Sequence, residues 1–224
     1  MSLFCLVHGS TQSATGWDLL VRELSARGHQ SVLADLPTDT PDSSATVYAR
    51  AIADTIPAGT NDAIVVAHSA SGMFLPLVPG YCKIGRMVFL AAVVPQVGAS
   101  VLDQVKADPN MLSPEWIGKN PTNDEVAMEF LFHDCSPDVA QWALTTRRLL
   151  IAKQAMIEIC PLPSWPSVPS SYIVCADDRT IQPQWSRRVA RERLGVEALE
   201  LPGGHCPHVS RPTELADMLT RLAG

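Results

Sequence analysis

Ser69 sits where an apolar run gives way to a stretch of small residues, in Val65-Val66-Ala67-His68-Ser69-Ala70-Ser71-Gly72-Met73. A serine hydroxyl is a weak nucleophile at neutral pH. It becomes effective beside a general base that a third group holds in place. A serine on a sharp strand-to-helix turn needs small residues two before and two after it, because the strained turn brings neighbouring backbones close together. Ala67 and Ser71 meet that need. Centring the turn on Ser71 would place Met73 at a flank, which is too bulky, so Ser69 is the better nucleophile. The competing reading of Ser69 is an N-cap that starts a helix.

The base and the orienting acid must come from elsewhere in the chain, and in an open α/β sheet such groups sit in loops at the carboxyl ends of strands. The apolar run Ser171–Ala176 is followed by Asp177, Asp178 and Arg179, and Val196–Leu201 is followed by Pro202, Gly203, Gly204 and His205. Ala91-Ala92-Val93-Val94, another strand exit, carries no carboxylate. Among the histidines, His8 and His68 precede Gly9 and Ser69 in tight turns and read as scaffold, His29 lies in a helix-to-strand loop, and His133 falls in a helical block. His208 competes with His205, but the Gly203-Gly204 pair gives His205 the freer backbone for reaching over a sheet. For acyl transfer the developing oxyanion needs donors fixed in advance, and the N–H groups of Ser10 and Ala70 are suited to it.

These residues need a scaffold, and the rest of the chain describes one. Six short, mostly unalternating apolar segments, Ser2–Val7, Gln30–Ala34, Asp62–Ala67, Gly85–Ala91, Ser171–Ala176 and Val196–Leu201, suit strands buried on both faces. Between them Trp17–Ala26, Ala45–Ile56, Gly72–Val78, Pro183–Arg193 and Thr213–Leu222 have helical spacing, and Ser43, Ser44 and Pro212 supply capping chemistry. Strand alternating with helix predicts a doubly wound, mainly parallel sheet of about six strands. The alternation breaks in the middle: Ser100–Ala107, Asn123–Phe132, Pro137–Leu150 and Ile151–Ile159 are helical with no strand among them, and the proline-dense run from Pro161 to Pro169 leads back. The expected organisation is therefore a core from 1–94 and 170–224, with a helical lid over 95–169. The lid's apolar set, Met111, Trp116, Met128, Phe130, Phe132 and Trp142, supplies candidate substrate contacts, of which Trp116, Phe132 and Trp142 are taken as the binding residues.

Composition sets the outer bounds. With 224 residues, 46% hydrophobic and 18% charged, the chain fits one folded α/β domain and lacks the signature of disorder. A formal charge of -6 opposes binding to a phosphate backbone, and the cluster Arg187, Arg188, Arg191 and Arg193, interrupted by Glu192, reads as a solvated helix face. Six dispersed cysteines with no C-x-x-C pair argue for reduced thiols. No basic leader and no apolar run of about 18 residues occurs, so neither export nor a membrane span is expected, and a cytoplasmic location fits. The expected partner is a small ester-like molecule, with no nucleic acid, no membrane, no metal and no organic cofactor; a homodimer is compatible, but the sequence leaves the oligomeric state open.

Leu6-Val7-His8-Gly9-Ser10 with Trp17, Ala67-His68-Ser69-Ala70-Ser71-Gly72, Tyr172 to Arg179 with Ile181, and Gly203-Gly204-His205 together resemble the small α/β-hydrolases related to plant methylesterases and hydroxynitrile lyases. The likeness covers nearly the whole chain and is weakest in the lid. It implies the α/β-hydrolase fold without the first two edge strands of larger relatives, the chain order Ser, Asp, His, and the residue before Arg179 as the acid, Asp178 in preference to Asp177. The usual elbow glycines are replaced by Ala67 and Ser71. Cyanide-releasing relatives carry a threonine where this chain has Gly9 and a lysine where it has Cys206, so the resemblance implies a serine esterase working through an acyl-enzyme. A ligand receptor keeping the same residues, or a lyase using the same His205, are the rival expectations.

Overall fold

The computed structural model describes residues 1–37, 40, 42–148 and 152–224. Six strands, β1 (Leu3–Val7), β2 (Gln30–Ala34), β3 (Ile64–His68), β4 (Arg86–Leu90), β5 (Ser170–Cys175) and β6 (Leu199–Leu201), form one sheet in the order β2-β1-β3-β4-β5-β6. Every pairing is parallel, as expected for runs whose two faces are both apolar. Alternate residues go to opposite faces: Cys5, Val7, Val65, Ala67, Phe89 and Val174 pack on one side, and Phe4, Leu6, Val66, Val88, Leu90 and Ile173 on the other.

Helices cover both faces. On the first lie α2 (Ala45–Thr55), which contributes Tyr48, Ala49 and Ile52, and α7 (Pro183–Val189), which contributes Trp185 and Val189. On the second lie α1 (Asp18–Ala26), with Leu20 and Leu24, and α9 (Pro212–Ala223), with Leu215, Ala216 and Leu219. Between β4 and β5 come α3 (Val101–Ala107), α4 (Asp124–Phe130), α5 (Pro137–Thr145) and α6 (Lys153–Ile157); a short α8 (Pro207–Ser210) precedes α9. Ser100 caps α3 through a reciprocal bond with Asp103, and Asn123 caps α4 at Val126 N. Leu149, Leu150 and Ile151, assigned to helix from the sequence, lie outside the described residues.

Several expected elements differ in form. The helix expected over Gly72–Val78 is instead two 3₁₀ segments, Ser69–Met73 and Leu75–Gly80. Pro76 and Pro79 lack the N–H that an α-helical ladder requires. The last strand is three residues long because Val196 N is spent on Ala190 O, closing the π-helical turn Ala190–Leu194. The arginine cluster is solvated at Arg191, which is exposed, but its other members are engaged. Arg187 pairs with Glu200 at 2.6 Å, Arg188 pairs with Asp108, and half-buried Arg193 donates to Gln104 Oε1 at 2.6 Å and to the Val94 carbonyl. These bonds fasten α7 and the π-helical turn after it to β6, to the loop after β4 and to α3 with the residue that follows it.

Candidate active site

β3 delivers Ser69 to the carboxyl edge of the sheet. Ser69 has φ 57°, a left-handed conformation that costs a non-glycine residue energy and here turns its side chain out of the strand direction. The small residues explain how the turn closes. Ser71 is buried, and its hydroxyl donates to His68 O at 2.7 Å. The tight approach falls on Gly72, where a Cβ would lie 2.2 Å from Val93 O, while Ser69 O accepts from Val93 N at 3.0 Å. Replacement of the usual elbow glycines by Ala67 and Ser71 is accommodated because Gly72 takes the closest contact.

Three distant stretches of chain then meet. Ser69 Oγ lies 2.8 Å from His205 Nε2, and His205 Nδ1 lies 2.8 Å from Asp178 Oδ2. Asp178 and His205 are both buried. A carboxylate only accepts, so Nδ1 carries the ring proton and Nε2 presents a lone pair to the serine. The acid is itself held: its Oδ1 accepts from Thr180 N at 2.7 Å, from the Thr180 hydroxyl at 2.9 Å and from Ile181 N at 3.2 Å. Asp177, the rival carboxylate, points elsewhere and accepts from Gly203 N at 3.1 Å.

The remaining histidines divide by partner. His8 donates from Nδ1 to Gly9 O at 3.0 Å and accepts from Leu36 N at Nε2 at 3.1 Å; burial lowers its pKa. His68 is fully buried, and burial together with its neighbours His208 and His205 holds its pKa well below the ordinary value. His208, the rival base, is buried with its ring 4.3 Å from that of Trp17. Burial pushes it down to about 3, and its Nδ1 has no partner among the described residues. It is a neutral packing residue.

A cavity of about 310 Å³ opens onto Ser69 and His205. Ser10 and Ala70 line it together with Ser69, and Met111, Leu112, Trp116, Leu131, Met156 and Ile181 give it apolar walls. Phe132 and Trp142, expected to contact substrate, do not line it. They pack with Ala127, Ala140, Ala143 and Val209 in an adjoining apolar cluster that joins the helical block to the segment after His205 and shares Leu131 and Trp116 with the cavity wall. Helical spacing in the sequence marks an apolar face without saying whether it meets a cavity or another helix. Thr180 and Gln12 were not singled out from the sequence: Thr180 lies 2.8 Å from His205 Nδ1, and the Gln12 amide sits between His68 Nδ1 and Cys206 Sγ, 3.1 Å from each. Among the described residues no group of His, Cys, Asp and Glu is arranged to hold a metal, and no helix is long and apolar enough to cross a membrane.

Comparison with known proteins identifies the family. The chain is 27% identical to salicylic acid-binding protein 2 of Nicotiana tabacum, over 98% of this chain and 96% of that protein. It is 26% identical to methylesterase 8 of Arabidopsis thaliana, over 98% and 89%. The crystal structure of polyneuridine aldehyde esterase superposes with a TM-score of 0.81 at 21% identity, covering 100% of both chains. The family model describing the alpha/beta hydrolase family matches residues 6–218, nearly the full length, and with the sheet order and the strand-exit positions of Ser69, Asp178 and His205 this places the chain in the alpha/beta hydrolase family.

Proposed function

We propose that this hydrolase is a serine esterase that cleaves a small, uncharged ester through an acyl-enzyme on Ser69. The observation that carries the reading is the unbroken line from Ser69 Oγ through the His205 ring to Asp178, 2.8 Å at each link, facing an apolar cavity. In the first step Ser69 Oγ attacks the ester carbonyl carbon and its proton passes to His205 Nε2. Asp178 stabilises the imidazolium through Nδ1–H. The N–H groups of Ser10 and Ala70 face the developing oxyanion. The tetrahedral intermediate collapses, and His205 returns the proton to the departing alkoxide, which leaves as the alcohol. In the second step a water gives its proton to Nε2 and adds to the acyl carbon, and collapse releases the acid and restores Ser69.

The helical block over 95–169 acts in this reading as a lid. Its residues Met111, Leu112, Trp116 and Met156 cover the cavity, and their apolar side chains favour a substrate with a hydrophobic acyl or alkoxy group. Lyase chemistry with a cyanide leaving group fits less well, because the position after His205 holds buried Cys206, whose pKa burial raises well above the ordinary value, and offers no cation.

The reading is tested by hydrolysis of short p-nitrophenyl esters and by labelling with a fluorophosphonate. Ser69→Ala should cut turnover by about 10⁴-fold with the fold retained, and the adduct should map to Ser69. A second reading, a ligand receptor, draws on the name of the tobacco relative. Saturable binding of an aromatic acid by the unmodified protein, with no ester turnover, would replace the esterase reading.

A further inference from the structure

We propose that Thr180 is a positioning residue that holds His205 and Asp178 in register and ties both to the helical block; the assignment rests on the esterase reading above. All of its polar groups are engaged, and it is buried. The Thr180 hydroxyl lies 2.9 Å from Asp178 Oδ1 and 2.8 Å from His205 Nδ1. Its N–H donates to Asp178 Oδ1 at 2.7 Å, and its carbonyl accepts from Ser113 N at 2.8 Å.

Counting protons assigns each bond. A carboxylate has no hydrogen to give, so the hydroxyl proton goes to Asp178 Oδ1. The hydroxyl then turns a lone pair towards the Nδ1–H of His205, which is shared between Thr180 Oγ1 and Asp178 Oδ2, each 2.8 Å away. Two consequences follow. Oδ1 has three donors, Thr180 N, Thr180 Oγ1 and Ile181 N, which oppose rotation of the carboxylate. The imidazole meets acceptors on both sides of its Nδ1–H vector, which limits rocking of the ring and keeps Nε2 aimed at Ser69 as charge builds on the ring.

The backbone of Thr180 is fixed from the other side. Leu112 and Ile181 form an isolated antiparallel bridge, and Gln182 N donates to Met111 O at 3.1 Å. Met111 and Leu112 also line the cavity. A single short ladder thus joins the cavity wall to the residue that touches both the acid and the base. A turn built by Asp178 on the following amides needs only N–H groups; the hydroxyl is an additional element, and its partners are the acid and the base.

The test removes the hydroxyl while keeping shape and backbone. For p-nitrophenyl ester hydrolysis, Thr180→Val should lower kcat about tenfold or more, from loss of a bond to a charged group, with KM within about twofold. Thr180→Ser should stay within about threefold of the parent, and Thr180→Ala should match Val. The Ser-to-Ala ratio of kcat answers the question even where Val folds poorly, since those two variants differ only by the hydroxyl. A ratio near one, or a Val variant with parental kcat, overturns the assignment. Ser69→Ala in parallel separates the two levels: if it stays active the esterase reading fails, whereas an inactive Ser69→Ala beside a fully active Thr180→Val removes only Thr180 from its role.

Discussion

His68 Nε2 donates to the main-chain carbonyl of His205 at 2.7 Å, so the residue preceding the nucleophile holds the backbone of the base. The two rings lie 4.8 Å apart at 48°. The position of His205 over Ser69 is therefore set at two places, by its side chain through Asp178 and by its own peptide through His68. His68→Ala should remove the second tether and leave a cavity, costing about 2–4 kcal/mol of stability. It should also slow fluorophosphonate labelling of Ser69 by roughly tenfold. Urea unfolding and labelling rates measured on the same variant check both; an unchanged labelling rate would make His68 a packing residue only.

Gly9 and Gly72 both make close approaches at the elbow but to different partners, and their substitution should have different consequences. A Cβ at Gly9 would meet Ser69 Cβ at 2.8 Å, an atom that moves only with the elbow backbone. Gly9→Ala is expected to reduce kcat with a smaller loss of stability. A Cβ at Gly72 would meet the main-chain oxygen of Val93 at 2.2 Å, so Gly72→Ala should destabilise the whole domain by about 1–3 kcal/mol. Thermal unfolding and ester turnover on the two variants separate these effects.

Trp116 and Trp142 both lie in the helical block but should respond differently to truncation. Trp116 lines the cavity, so Trp116→Ala should raise KM for an ester with a bulky apolar group by about threefold to tenfold. Trp142 packs in the cluster behind it, so Trp142→Ala should lower Tm and leave KM unchanged. A KM change confined to Trp142→Ala would mean that the cavity is bounded by a different wall.

Buried neutral histidines should make the fold sensitive to acid. Burial lowers the pKa of His8 and His68, and takes His208 to about 3, against an unfolded value near 6.5. Between these values the unfolded chain binds protons that the folded chain refuses, so stability is complete above about pH 7 and is lost as pH falls below the unfolded value. Each such histidine contributes about 1.4 kcal/mol per pH unit in that window. The urea midpoint should be flat from pH 8 to 7 and fall steeply from pH 6 to 4. His208→Leu should make the fall shallower, because it removes one of the excluded protons. A midpoint independent of pH down to 5 would contradict the assignment of these rings as neutral.

The sequence by itself determined where the sheet lies and which residues stand at its carboxyl edge. Apolar runs such as Ile64–His68 and Ser170–Cys175 have both faces to bury, and a parallel sheet between helices is the arrangement that buries both. Once such strands are placed, Ser69, Asp178 and His205 fall at strand exits by chain position alone. Tertiary structure decided what those residues touch. The Thr180 hydroxyl contact with His205 spans 25 positions and the His68 bond to His205 O spans 137, and neither leaves a periodic mark on the sequence. The division between Trp116, on the cavity wall, and Phe132 and Trp142, packed away from it, also escapes hydrophobic pattern, because burial against a helix and exposure to an apolar cavity call for the same side chains. Local propensity and pattern act over a few residues and fix elements. A site is made of angstrom-scale contacts between elements, and those depend on how the whole core packs.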